Sequence, residues 1–158
     1  MTDDPGMPAV RRLDLPPVWL AAFIVLAWVQ ARLLPLGLSL RSGVVDLLGG
    51  LLVGGGIVLM ALAITEFRRH HTTINPHKTP VALITSGIYK RSRNPIYLAD
   101  TLILAGLILR FDAVLSLPLV PIFVWVIERR FVLPEETRLR RIFRKEFHRY
   151  ETKVRRWL

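Results

Sequence analysis

The sequence contains no cysteine. Disulfides, thiolate metal sites and thiol catalysis on this chain are therefore excluded. Acidic residues are scarce: 12 Asp and Glu stand against 22 Lys and Arg, for a net charge of +10. There is no glycine-rich strand turn of the dinucleotide-binding kind and no helix carrying a zinc-hydrolase pair of histidines. His70, His71, His77 and His148 are not spaced as a ligand set, so no metal is expected. Residues 1–16 lack the basic start, short apolar core and cleavage site of a signal peptide, so the first apolar segment is expected to be a retained span.

What is abundant is apolar surface. Hydrophobic residues make up 52% of the 158, too many for an ordinary soluble domain of this size. Four runs read as membrane spans: Pro17 to Leu34, Val44 to Ile64, the shorter Ile96 to Leu109, and Ala113 to Phe131. Pro118 and Pro121 are expected to kink the fourth. Gly50 and Gly54 form a small-xxx-small pair, read as packing within the bundle rather than as a dimer seam. Oligomerisation is possible but not indicated. The fold class is all-α: a polytopic bundle of about four transmembrane helices plus a C-terminal amphipathic helix. Residues 1–158 form one domain, with a tail over 1–16, two spans over 17–67 and a catalytic core over 68–158.

The cations are sorted. With four spans, the two tails and the loop from Arg68 to Arg93 share one side, which holds 19 Lys and Arg against 3 opposite. This positive-inside pattern puts both termini in the cytoplasm of a cell-membrane protein. It also accounts for the basicity without nucleic acid, for which no groove-reading motif is present.

Two segments on the basic side carry candidate chemistry. The 27 residues from Arg68 to Asn94 form a long loop whose apolar residues, Val81, Leu83, Ile84 and Ile88, should fold it back on the bundle. Ser86-Gly87 reads as a turn, Asn94 as a helix cap and Pro95 as the first helical residue. Free N–H groups at that helix start, with Arg93 beside them and Tyr89 and Tyr97 as flat walls, make an anion site. An interfacial tyrosine belt with positive-inside cations explains the same residues. The second segment is Pro134-Glu135-Glu136, either helix-start acids or a pocket for a cationic group. From Thr137 to Leu158, apolar residues recur at helical spacing among nine Lys or Arg, as in a helix that lies on anionic lipid or covers the bundle mouth.

These segments resemble the isoprenylcysteine carboxyl methyltransferase and phospholipid methyltransferase superfamily of small membrane enzymes. The family pattern L-V-T-x-G-x-Y-x-x-x-R-H-P-x-Y-x-G is matched by Leu83-Ile84-Thr85-Ser86-Gly87-Ile88-Tyr89 and Arg93-Asn94-Pro95-Ile96-Tyr97. A second block, E-E-x-x-L followed by F-G, Y and V-x-R-W, is matched by Glu135, Glu136, Leu139, Phe143, Tyr150, Val154, Arg156 and Trp157. Asn94 replaces the His of the eukaryotic carboxyl methyltransferases, and Ala99 and Arg144 stand where the pattern has Gly. The resemblance implies methyl transfer from S-adenosylmethionine to a lipophilic acceptor in the bilayer, either the carboxylate or the amine of a lipid or prenyl-type molecule. It implies cofactor contacts from His77, Leu83, Gly87, Tyr89, Arg93, Asn94, Pro95, Tyr97, Glu135 and Glu136, with Arg93, Asn94 and Glu136 as catalytic residues. An NADPH-dependent membrane reductase on a related bundle and a non-catalytic scaffold are the alternatives.

The charge asymmetry sets an expected topology. Reporter fusions at Ser39 and Asp112 should read external, and fusions at Pro76 and Leu158 internal. An external reading at Pro76 would overturn the four-span arrangement.

Overall fold

The computed structural model describes residues 14–34, 36–72 and 80–158. Those residues form helices and connections, with no strand among them. Helix α1 spans Pro16–Leu33 and α2 spans Gly43–Arg69. Both are long and apolar enough to cross a membrane. Helix α3 spans Pro95–Arg110, and α4 spans Leu119–Ile127. A π-turn, Glu128–Val132, joins α4 to α5, Leu133–Lys153.

The starts follow local chemistry. α1 begins on Pro16 and α3 on Pro95, where a missing N–H costs nothing. Ser42 caps α2 by accepting a hydrogen bond from Val45 N at 3.2 Å, and Asp46 favours its positive end.

The fourth apolar run departs from its predicted form. Residues 114–116 make a single 3-10 turn, and the helix starts only at Leu119. Pro118 is its N-cap and Pro121 lies in its first turn, so the prolines start the helix instead of kinking its middle. The C-terminal helix is also corrected. It ends at Lys153, and residues 154–158 run on beyond it with Val154 extended, which removes Val154 and Trp157 from the helical face predicted for them. Hydrogen bonds hold this last segment: Trp157 Nε1 donates to Glu128 at 3.3 Å, and the Arg155 carbonyl accepts from Arg93 N at 3.0 Å.

α2 and α3 lie in backbone contact. A Cβ on Gly106 would stand 2.6 Å from the Gly49 carbonyl oxygen, and one on Gly56 would stand 2.9 Å from that of Ala99. Gly50, Gly54 and Gly55 have no described residue within 4 Å of where a Cβ would stand. The packing glycines are therefore Gly49 and Gly56, seven apart, and not the Gly50–Gly54 pair expected from spacing. Seven residues bring a helix back to the same face after two turns, toward a single neighbour.

One apolar core centres on Phe23, Ala27, Leu104, Phe123 and Ile127, with Phe23 and Phe123 edge to face at 5.3 Å. A second, of Ala63, Ile84, Tyr89, Phe147 and Tyr150, joins the α2–α3 loop to α5. The fold back of the loop is thus as expected, and α5 covers it with Phe147 and Tyr150.

α5 is broken at Arg144, whose φ of 38° and ψ of −106° place an L-residue in territory suited to glycine. The family pattern has Gly at this position. Such strain costs about 1–3 kcal/mol, and glycine returns part of that as chain entropy. Arg144→Gly should therefore stabilise the fold by about 1 kcal/mol, raising Tm by about 2–4 °C in detergent for a chain of this size. A fall in Tm would show that the arginine side chain contributes more than its backbone costs.

Candidate active site

The site begins where the loop leaves α2. Glu66 is buried at the end of that helix and accepts a hydrogen bond from Ser86 Oγ, with Arg69 at 3.4 Å. Gly87 follows with φ +55°, and any side chain there would overlap the Glu66 carboxylate. Both the backbone and the space at this turn therefore require glycine. The 3-10 turn Gly87–Lys90 then inserts Tyr89 into the core, against Phe67 at 5.9 Å. Its carbonyl accepts from Tyr150 Oη at 2.7 Å. Burial, reinforced by the Glu135 charge, raises the Tyr89 hydroxyl well above its ordinary value, so it stays protonated.

The next residues are fixed by the C-terminal segment. The Arg156 carbonyl accepts from Asn94 Nδ2 at 3.1 Å and from Ser92 Oγ at 3.3 Å. Asn94 stands at the N-cap of α3 as predicted, but its side chain makes no capping bond. The amide is spent on Arg156, and among the described residues no side chain caps the helix start.

The two adjacent carboxylates have different surroundings. Glu136 is 3% exposed and receives Arg156 in a two-pronged pair, at 3.0 Å from Nε and 2.9 Å from Nη2. Arg93 lies 3.3 Å from it and Arg140 3.4 Å. Arg156 also reaches Glu128 at 2.8 Å, and Arg140 reaches Glu151 at 2.8 Å. Three acids thus alternate with three arginines. The hydrogen bond from Arg140 holds the Glu151 carboxyl below its usual range. Glu135 stands apart, accepting from Tyr97 Oη at 3.1 Å. Burial raises its pKa, while the Tyr97 bond and the Arg138 charge oppose that shift and Glu136 adds to it.

Between these groups lies a cavity of about 410 Å³. Leu83, Tyr89, Arg93, Asn94, Tyr97, Glu135 and Glu136, all singled out from sequence, line it. Gly87 and Pro95 shape the turn and the helix start without lining it, and His77 lies outside the described residues. Apolar walls come from Met60, Ile64 and Phe67 of α2 and Leu139 of α5. Arg93 Nε and Nη1 are buried and have no hydrogen-bond partner among the described residues, since Nη1 meets Glu136 out of line at 3.3 Å and lies 3.6 Å from Glu151. An under-bonded guanidinium in a cavity is suited to a carboxylate or phosphate.

Sequence reasoning missed Asp100, Glu66, Glu128 and Glu151. Asp100 also lines the cavity. It is the only charged residue between Ile96 and Leu109, and an ionisable group inside an apolar run is itself a signal of function. The two glutamates of the arginine network had no such signal, because their partners are up to 58 positions away, as between Arg93 and Glu151.

Compared with protein families, the chain matches Phospholipid methyltransferase over residues 44–146, well over half its length. No curated protein and no solved structure matches it. The matched region contains the second and third helices, the cavity-lining loop and both carboxylates. The chain belongs to the phospholipid methyltransferase family, within the superfamily that includes the isoprenylcysteine carboxyl methyltransferases, and is a membrane methyltransferase.

Proposed function

We propose that this protein moves a methyl group from S-adenosylmethionine to a lipophilic acceptor that reaches the cavity from the bilayer. In this reading the chain crosses the membrane four times, with both termini and the cavity mouth on the cytoplasmic side. The reading rests on one observation above the others: Arg93 presents two buried nitrogens that have no hydrogen-bond partner among the described residues, although Nη1 is ion-paired with Glu136 and Glu151, in a cavity that also holds the Glu135 carboxylate. The volume of about 410 Å³ is within the range of small-ligand pockets.

The residues present fit the cofactor. Arg93 and the uncapped start of α3 suit its carboxylate, and Glu135 suits its ammonium. Tyr89 and Tyr97 offer flat faces for adenine. When bound, S-adenosylmethionine supplies an electrophilic methyl group. The protein contributes alignment, through helices locked by the arginine network, and a dry apolar wall. Glu136 is assigned here to holding Arg93 and Arg156 in place, because its oxygens are already occupied by arginines.

Arg93→Ala should lower S-adenosylmethionine affinity at least tenfold by calorimetry, with the loss of charge-assisted bonds worth about 1.5–3 kcal/mol each. Arg93→Lys should fall between, keeping charge without the fork. Lys90 and Arg91 are exposed, and replacing either with Ala should leave affinity within about twofold, on the order of 0.4 kcal/mol. Equal effects at Arg91 and Arg93 would move the site elsewhere.

The two carboxylates should separate experimentally. Glu135→Gln should weaken cofactor binding while leaving Tm unchanged or raised. Glu136→Gln should lower Tm sharply, because losing one member of a buried ion pair costs about 3–5 kcal/mol. Glu135 also gives a pH test. Its folded-state pKa is raised, so the folded state holds the proton more tightly than the unfolded chain, and this group's stability contribution falls as pH rises through the raised value. Binding of a cation has the opposite sign, weakening as acid protonates Glu135. Calorimetry across the acidic range should show that weakening in the wild type and a flatter profile in Glu135→Gln.

A further inference from the structure

Asp100 is left over from the site as built so far. It is 3% exposed on α3, and among the described residues no side chain hydrogen-bonds or ion-pairs with it. Its oxygens are not sealed in packed protein but open on the cavity, and a carboxylate held there without a partner is costly, more so in a helix rich in apolar residues. Its polar neighbours on α3 are already engaged: Thr101 Oγ1 donates to the Tyr97 carbonyl at 2.8 Å and Tyr97 Oη donates to Glu135 at 3.1 Å, while Ala99 and Leu104 are apolar. Yet it lines the same cavity as Arg93, Tyr97 and Glu135. Along α3, Asp100 follows Tyr97 by three residues, so both lie on one face. It is then about 4.5 Å deeper along the helix axis, away from the end where Arg93 and Glu135 lie. Met60 and Ile64 of α2 line the cavity too, and give it apolar walls.

We propose that Asp100 is the acceptor-side residue of this cavity: its carboxylate draws in the ammonium head of an amphiphile and takes its proton. This rests on the methyltransferase reading above. A second carboxylate brought beside Asp100 would be repelled, which disfavours acid acceptors and favours an amine. The chemistry balances. The ammonium nitrogen gives one proton to Asp100 and becomes a neutral amine with a free lone pair. That pair forms the new N–C bond to the transferred methyl as the C–S bond breaks, and the bonding electrons stay on sulfur as a neutral thioether. The product is a methylated ammonium, and Asp100 later releases its proton to water.

Asp100→Asn keeps the shape and removes the charge. Three measurements in detergent separate the possibilities: S-adenosylmethionine affinity by calorimetry, affinity for a long-chain quaternary ammonium amphiphile that cannot be methylated, and methyl transfer to a long-chain primary amine or to the fatty acid of equal length. The wild type is expected to methylate the amine in preference to the acid. Asp100→Asn should keep cofactor affinity within about twofold. It should lose about tenfold in affinity for the quaternary amphiphile, the scale of one charge-assisted contact, and about 100-fold or more in kcat for the amine, as for a lost general base. Three results overturn the assignment: wild-type preference for the fatty acid, unchanged amphiphile affinity and amine turnover in Asp100→Asn, or a tenfold loss confined to the cofactor, which would make its sulfonium the cation Asp100 serves. The amphiphile measurement needs no cofactor, so it reads Asp100 even if S-adenosylmethionine does not bind, the outcome that would instead remove the methyltransferase reading.

Discussion

The site depends on one buried carboxylate. Glu136 sits where the loop after α2, the start of α5 and the C-terminal segment meet, and it is compensated by arginines from each. Desolvating an acid this fully is unfavourable unless its lone pairs are filled, and the two-pronged Arg156 pair fills them in a fixed plane. With Arg156 fixed, its carbonyl can receive Asn94 and Ser92, and that sets where α3 begins. The position of Tyr97, and hence its bond to Glu135, follows from that start. The cavity is thus located by a chain of polar contacts, while the apolar cores below it hold the helices together.

Much of this architecture was legible in the residues. The starts read at Pro17, Val44 and Pro95 fall within one residue of those observed, Pro16, Gly43 and Pro95, because the onset of an apolar run and, at Asn94-Pro95, a proline mark a helix start locally. Gly87, Arg93, Tyr97 and the Glu135-Glu136 pair could be picked out because each combines an unusual residue type with a place beside an apolar run. The inequality of the two glutamates was not legible. It arises from Arg156, twenty positions beyond Glu136, and nothing in a helix-start motif says which of two adjacent acids a distant arginine will choose.

The misplaced elements have a common cause. Periodicity carried the C-terminal helix to Leu158, but the backbone carbonyls of Arg155 and Arg156 are claimed by Arg93, Asn94 and Ser92, so the chain leaves the helix to present them. Likewise the Gly50–Gly54 spacing matched a known packing motif, yet the facing helix chose Gly49 and Gly56. Tertiary partners decided both outcomes, and local patterns do not contain them.

The seam between α2 and α3 also governs how this sequence can drift. Five glycines crowd one stretch of α2, and by composition they look interchangeable. Two of them stand where the neighbouring backbone leaves room for a hydrogen atom and little else, and three face no neighbour among the described residues. Over many generations the first two are bound to stay as they are, or to change only together with Ala99, Ile103 or Gly106 across the seam. The other three are free to wander through any residue the surrounding lipid tolerates. A record of past substitutions along α2 would then carry a stripe of stillness on one side of the helix, tracing the line of contact without any structure to show it.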